Sequence, residues 1–207
     1  MISVMRKLIG LLFLAGAASL WAGDSDLFFR EDWVEAPPSI PLTNRDLANP
    51  ALEVSRHGPG GSVIKKSFHD YKPNDPYYVW SGLCPGPWAV SLRKRESAVD
   101  LTAGRVRWRA RQSGFRQLRV IVQTGDGKWL VSDAADGFSE DWRVREVELA
   151  TVRWRSLNIK TVVEGDWVDD ADLSRVFAVG FTDLMPGGRS PASSRLDWIE
   201  VYGAPVQ

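Results

Sequence analysis

Five residue positions in one short stretch have side chains suited to proton transfer: His57, Lys66, His69, Tyr71 and Tyr77. Abstraction of a proton beside a uronate carboxylate needs a base such as His or Tyr, an acid such as Tyr, and a cation to neutralise the charge that develops. Arg107 is a further candidate for the cation. Spacing within a loop-rich segment does not by itself bring such groups together, and each histidine is equally suited to a buried, hydrogen-bonded position. Other chemistries are less well provided for. Glu140 with Asp141, or Glu164 with Asp166, would be carboxylate pairs for glycoside hydrolysis, but both sit in turns and need partners across a cleft. His57, His69 and Asp70 match no zinc-ligand spacing. Asp166, Asp169, Asp170 and Asp172, or Asp197 with backbone carbonyls, offer oxygen ligands that suit calcium, without the order of an EF-hand loop. The glycine-rich run at 58–61 lacks the Lys-Ser/Thr that completes a phosphate loop.

These residues fall in or beside a stretch, 57–88, that is dense in aromatic, basic and turn residues and broken by Pro73, Pro76, Pro85 and Pro87. Proline lacks the N–H that a helix interior or a central strand requires, so the stretch reads as loop with a short strand. Residues 23–50 read as an extended lead-in, with LFFREDW heavy enough in aromatics to fasten itself to a sheet. A short strand is expected at Leu52 to Arg56 and another at Trp88 to Arg93. From Val99 onward the pattern is firmer. Val106, Trp108 and Ala110 alternate with Arg105, Arg107, Arg109 and Arg111, and Leu118, Val120 and Val122 alternate before a GDG turn into KWLVSD, a hairpin signal. Val144 and Val147 are out of strict phase, which predicts a bulge or a register change. TVRWRSLNIK alternates again, VVEGDWVDDADL reads as a loop, and Asp172 is placed to cap one helical turn ending at Arg175. Two further strands, around VFAVGF and RLDWIEVY, close the chain. Many short strands with no helical period predict an all-β, jelly-roll-like antiparallel sandwich over 51–207 as one domain.

Lys plus Arg and Asp plus Glu are each 26, so the formal charge is zero. That balance argues against a nucleic-acid or membrane-surface binder, which needs a basic field. Arg6 and Lys7, then an apolar run from Leu8 to Ala22, then an acidic stretch follow the order of a signal peptide over 1–22, cut after Ala18 or Ala22. The expectation is a periplasmic or secreted protein with no integral membrane association after cleavage. Cys84 is the single cysteine, so no intrachain disulfide forms, and an inert buried thiol is expected.

Asp100-Leu101 before an alternating strand, Trp142 before Val144 to Leu149, Asp172-Leu173-Ser174, Val176, Val179-Gly180-Phe181 and Leu196-Asp197-Trp198-Ile199 together resemble the galactose-binding-like jelly rolls, in particular their carbohydrate-binding modules. The resemblance covers about the C-terminal half. It implies a sandwich that binds a polysaccharide or oligosaccharide without catalysis. The same fold also carries glycan-cleaving lyases and assembly proteins that bind a protein partner, so both remain open. In such a protein, rigid aromatic rings stack on the apolar face of a pyranose while planar polar groups read its hydroxyls. The ring candidates are Tyr77, Tyr78, Trp80, Trp88 and Trp129; in a strand Tyr78 and Trp80 share one side and Tyr77 and Val79 the other, so one of those two pairs is expected in the core; the polar candidates are Lys66, Arg107, Arg109, Arg119 and Gln123. An unpaired arginine face would select an acidic polysaccharide, because guanidinium forks fit carboxylate and sulfate. The alternative is a solvated face balanced by Asp133, Glu146 and Glu148. Lyase action would draw on His69, Tyr71, Tyr77 and His57.

Overall fold

A computed structural model describes residues 26–67, 75–186 and 191–206. The signal peptide expected at 1–22, together with His69, Asp70 and Tyr71, lies outside the described residues. Thirteen strands are described: β1 (Leu27–Glu31), β2 (Leu52–His57), β3 (Lys65–Ser67), β4 (Tyr78–Trp80), β5 (Trp88–Lys94), β6 (Ala98–Gln112), β7 (Leu118–Thr124), β8 (Trp129–Asp136), β9 (Arg143–Glu148), β10 (Trp154–Asn158), β11 (Val163–Val168), β12 (Val176–Asp183) and β13 (Ser194–Val206). Every pairing among them is antiparallel.

They form a jelly-roll-like sandwich of two layers. One sheet runs β2-β5-β12-β7-β8-β10-β11. The other is centred on β6 and β13, with β9 outside β6, and with β1 and β4 in tandem along the far side of β13, β3 beyond β4. A single bridge, Val176 to Val99, joins the layers at one corner. Their inner faces close on one core: Trp88, Val90 and Leu92 from β5, Val120 and Val122 from β7, and Val179 and Phe181 from β12 meet Val106, Trp108, Ile199 and Val201. The alternation read in the sequence is what supplies this, since period-two apolar residues all point to one side of a strand.

Two expected motifs take a definite form. Asp100 Oδ1 accepts from Thr102 N at 2.8 Å, and Asp172 Oδ1 accepts from Ser174 N at 2.9 Å and from its hydroxyl at 2.6 Å. Both are side-chain-closed turns, not a helical turn at Asp172, and the two Asp-Leu pairs meet where Leu101 N donates to Leu173 O at 2.8 Å.

Three readings need correction. VVEGDWVDDADL contains the strand β11, which the sequence hides because the β10–β11 ladder shifts register between Arg155 and Leu157 and so breaks the alternation. The bulge or register change expected at Val144 to Val147 is absent, since β9 pairs with β6 residue for residue from Arg105↔Glu148 to Ala110↔Arg143. It lies at a sheet margin where Arg143 and Arg145 occupy the inner side and reach Asp136, which accounts for the odd phase. The lead-in belongs to the sandwich: β1 pairs with β13, and buried Glu31 fastens the chain after it by accepting from Trp33 N, Ala48 N and Asn49 N at 2.7, 2.7 and 3.0 Å.

Candidate functional site

The seven-stranded sheet carries a second apolar cluster on its outer face. Ala89, Ile121, Val131, Leu157 and Val162 are buried there, with Trp129, Ile159 and Leu184 packed against them. Strand twist of roughly 20–25° per step accumulates to about 100–125° over the steps from β2 to β10, so diagonal corners of the sheet approach each other over this face. His57, at the end of β2, meets Trp129, at the start of β8, with ring centroids 5.2 Å apart and planes tilted by 59°. Val162, in the turn between β10 and β11, adopts φ 53°, which β-branched residues rarely do, and its side chain lies against Gly58. The cost of that backbone is offset by its burial in the cluster. Beneath the closure Ser91 and Thr182 are also buried. His57 Nε2 lies 2.9 Å from the Ser91 hydroxyl, and burial pushes its proton affinity below the ordinary histidine range, so the ring is neutral at pH 7.

Trp129 also borders open space. Gly127, Lys128, Trp129, Leu130, Ser156, Leu157 and Val168 line a concavity of about 490 Å³. A second, of about 390 Å³, shares Lys128, Leu130 and Val168 with it and adds Thr124, Asp126, Asp170, Asp172, Ser174 and Arg175. The two form a trough at the β7–β8 end of the sandwich. Its middle is apolar, one end is an indole and the other is hydroxyls and charges. The polar end is preset: Lys128 Nζ and the Thr124 hydroxyl lie 2.6 Å from Asp126 oxygens, and these partners hold Asp126 well below the usual carboxylate range. Hydrogen bonds from Ser174 lower Asp172 in the same way. Both are acceptors at neutral pH.

The sequence candidates distribute unevenly around this site. Trp129 lines the trough. Trp88 does not face ligand: it is 1 % exposed and packs edge-on against Phe181 in the core at 5.9 Å. Tyr78 is likewise buried, against Trp142, at 5.4 Å between ring centroids. Lys66 is enclosed, with its ammonium donating to Ala36 O and lying 4.6 Å from the Tyr77 ring centre. Trp80 is half-buried, with Lys65 Nζ 3.8 Å and the Arg195 guanidinium 5.9 Å from its ring centre. Arg119 is held 3.2 Å from Glu164, which also takes Arg155 at 3.4 Å, and Gln123 turns to the Gly127 carbonyl at 3.4 Å.

Arg107 and Arg109 stand on the outer face of the other sheet. Arg109 bonds Asp197 at 2.7 Å, Arg107 lies 3.7 Å from Glu200, Arg105 lies 3.6 Å from Glu146, and Arg30 pairs with Glu200. This is the carboxylate-balanced face, although the acids differ in part from those the sequence suggested. Asp197, bonded to Arg109, does not converge with Asp166, Asp169, Asp170 and Asp172, and among the described residues no cluster of three or more His, Cys, Asp or Glu is arranged to hold a metal ion. Of the proton-transfer set, His57, Lys66 and Tyr77 are described. Lys66 meets the Tyr77 ring, but His57 does not join them, since it ends β2 in one sheet while Lys66 lies on β3 and Tyr77 leads into β4 in the other. Cys84 is buried, as expected of an inert thiol, and desolvation raises its pKa.

Sequence reasoning missed Lys128, Asp126, Thr124 and Ser174 as site residues. Asp126 belongs to the GDG turn that marked the hairpin, Asp170 enters the sequence reading as an oxygen ligand, and Asp172 as an oxygen ligand and a turn cap. The signal available was that both polar turns flank strands that a hairpin and a sandwich end would bring together.

No protein-family model matches the sequence, and no curated protein matches it. Among solved structures, the chain is similar to a family 11 carbohydrate-binding module from Clostridium thermocellum in complex with a β-1,3-1,4-mixed-linked tetrasaccharide, at 12 % identity and TM-score 0.47, over 82 % of this chain and 98 % of that one. It is similar to a family 29 carbohydrate-binding module complexed with cellulohexaose, at 12 % identity and TM-score 0.46, over 81 % and 92 %. A third similar structure is an exo-β-agarase, at 12 % identity and TM-score 0.45, where the match takes 82 % of this chain but 25 % of the enzyme. Among the described residues no helix is long and apolar enough to cross a membrane.

Proposed function

We propose that this chain is a non-catalytic carbohydrate-binding sandwich that captures a polysaccharide or oligosaccharide in the trough beside Trp129. The observation that carries the reading is the trough's polarity gradient, with an indole at one end, Leu130, Leu157 and Val168 in the middle, and Thr124, Asp126, Asp170, Asp172 and Ser174 at the other. A sugar ring has that same division between a C–H face and an equatorial rim of hydroxyls, and a rigid ring supplies contact area at small ordering cost. The Asp-Leu turns and the Leu196-Asp197-Trp198 strand that resemble carbohydrate-binding jelly rolls point the same way. We take the mature protein to act in the periplasm or outside the cell, on the basic, apolar and small-residue order of residues 1–22.

The test is retardation of the mature protein in gels containing neutral, uronate-bearing and sulfated polysaccharides, with ultraviolet absorbance of an unsaturated product followed on the same samples. Retardation without absorbance is expected on at least one polymer, and Trp129→Ala should weaken it about tenfold or more, equivalent to ~1.4 kcal/mol. Retention unaffected by Trp129→Ala removes the trough as the site. Rising absorbance replaces binding with elimination chemistry.

A further inference from the structure

Trp129 has two neighbours of different kinds: ligand space on one side and the His57 ring on the other. The indole is half-buried at the first position of a strand, where it packs against the outer-face cluster and has the His57 ring as its aromatic neighbour. His57 supplies the fixing contact and is itself held by Ser91, which is 4 % exposed. The contact joins parts of the sheet far apart in the ladder: Trp129 belongs to the β7–β8 hairpin and His57 to the edge strand β2.

We propose that His57 is a positioning residue for the Trp129 wall of the trough, and that ligand capture is lost when His57 takes up a proton. This rests on the carbohydrate-binding reading and adds its regulation. The physical basis is that the part-buried ring stacks on Trp129 and meets the Ser91 hydroxyl, with no ion pair recorded for it, so an imidazolium there gives up hydration that no paired carboxylate returns. The charged groups around the closure are engaged elsewhere. Glu53, on the same strand, pairs with Arg95; Arg93 on β5 lies over Phe177; Arg119 on β7 and Arg155 on β10 share Glu164 of β11; Lys128, beside Trp129, pairs with Asp126. Arg56, also on β2, donates to Gly61 O. The outward residues that β12 places between, Gly180 and Thr182, carry no charge.

The sign follows from linkage. Burial lowers the proton affinity of the folded ring, so the unfolded or opened form binds the proton better. The closure is fully stable above the ordinary histidine value of 6.5 and weakens as pH falls through and below it. Opening frees Trp129 from its stack, and the trough loses its indole end.

Two measurements test this. The first is the pH profile of gel retardation on a polymer that the wild type binds. Wild-type retardation should be constant at and above neutrality and fall in acid, while His57→Phe, which keeps a ring but cannot titrate, should flatten the profile. The same acid loss in His57→Phe assigns it to another group and overturns the proposal. The second needs no carbohydrate. NMR titration of the histidine ring protons, assigned with His57→Phe, should show His57 titrating below the ordinary histidine range, and Trp129→Ala should move it back up. A His57 titration that Trp129→Ala leaves unchanged overturns the ring clasp, whether or not any polymer is retained. No retardation at any pH, with the titration shift present, overturns the carbohydrate reading and the binding half of this proposal while leaving the clasp intact.

Discussion

On the outer face of the seven-stranded sheet, Ala89, Ile121 and Val131 are inaccessible to water, whereas on the outer face of its partner sheet Arg107 keeps 43 % of its side chain exposed beside half-buried Trp198 and Tyr202. Both faces are built from strands that alternate, and both mix aromatic with polar side chains. The difference lies in what the sheet can reach. Seven strands twist far enough for one corner to fold onto another, so the face acquires its own small core and excludes solvent. The partner sheet is shorter across, with β1 and β4 sharing one side of β13, and its face stays open. There Arg30 and Arg107 lie 4.5 and 5.7 Å from the Trp198 ring centre, and Arg105 lies 4.0 Å from that of Tyr202, each with a carboxylate alongside. A solvated face of this kind tolerates charge because water screens what pairing leaves over. The folded-over face keeps its charges beside the closure and paired, as where Arg119 and Arg155 share Glu164.

Substitutions should separate the two faces. The largest effect is expected from Gly180→Ala on the folded-over face. A Cβ at Gly180 would lie 2.7 Å from the Ser91 Cα and closer still to the Val90 carbonyl oxygen, and backbone cannot step aside as a side chain can. Unfolding by urea should show a loss of about 3 kcal/mol or more; a loss near zero means β5 and β12 do not approach so closely. Next comes Ile121→Ala, which empties a fully buried position in the second cluster and should cost about 2–5 kcal/mol. Trp198→Ala removes a larger side chain from the open face, yet should cost only about 1–2 kcal/mol, from its cation–π contacts and partial burial. Equal costs for these two would erase the distinction drawn here. The smallest effect is expected from Arg107→Ala, below about 1 kcal/mol and shrinking further in high salt, since its ion pair with Glu200 is half-exposed. That variant should also retain wild-type mobility on uronate and sulfated polymers. A selective loss there would restore the arginine face as a ligand surface.

The strands were largely legible in the residues because burial on one side writes itself as alternation: β6, β7, β8 and β12 follow the apolar residues read for them. β11 was not, because Gly165 and Asp166 interrupt Val163 and Trp167 just where the ladder slips. Site residues were harder. Tyr78, Trp80, Trp88 and Trp129 look alike as a list of rings, yet Trp88 fills the core and Trp129 borders a trough, since alternation says which residues share a face and not whether something covers it. His57 was legible as a titratable group and not as a neighbour of Trp129. Their contact depends on the coiling of an entire sheet, which no local window of sequence contains.

The place of β1 has a consequence for how the protein is made. Arg30 and Glu200, bonded to each other in the finished sheet, are 170 residues apart in the chain, and β13 is also the strand against which β6 and β4 align. A growing chain therefore holds β1 without a partner, and β6 paired along one side only, by β9, until β13 has emerged. Contacts this distant in sequence make folding slow, because the loop entropy is spent before the pairing compensates it. The seven-stranded sheet has all its strands before β13 emerges, so the arrival of β13 sets the moment at which the second layer can close over the core.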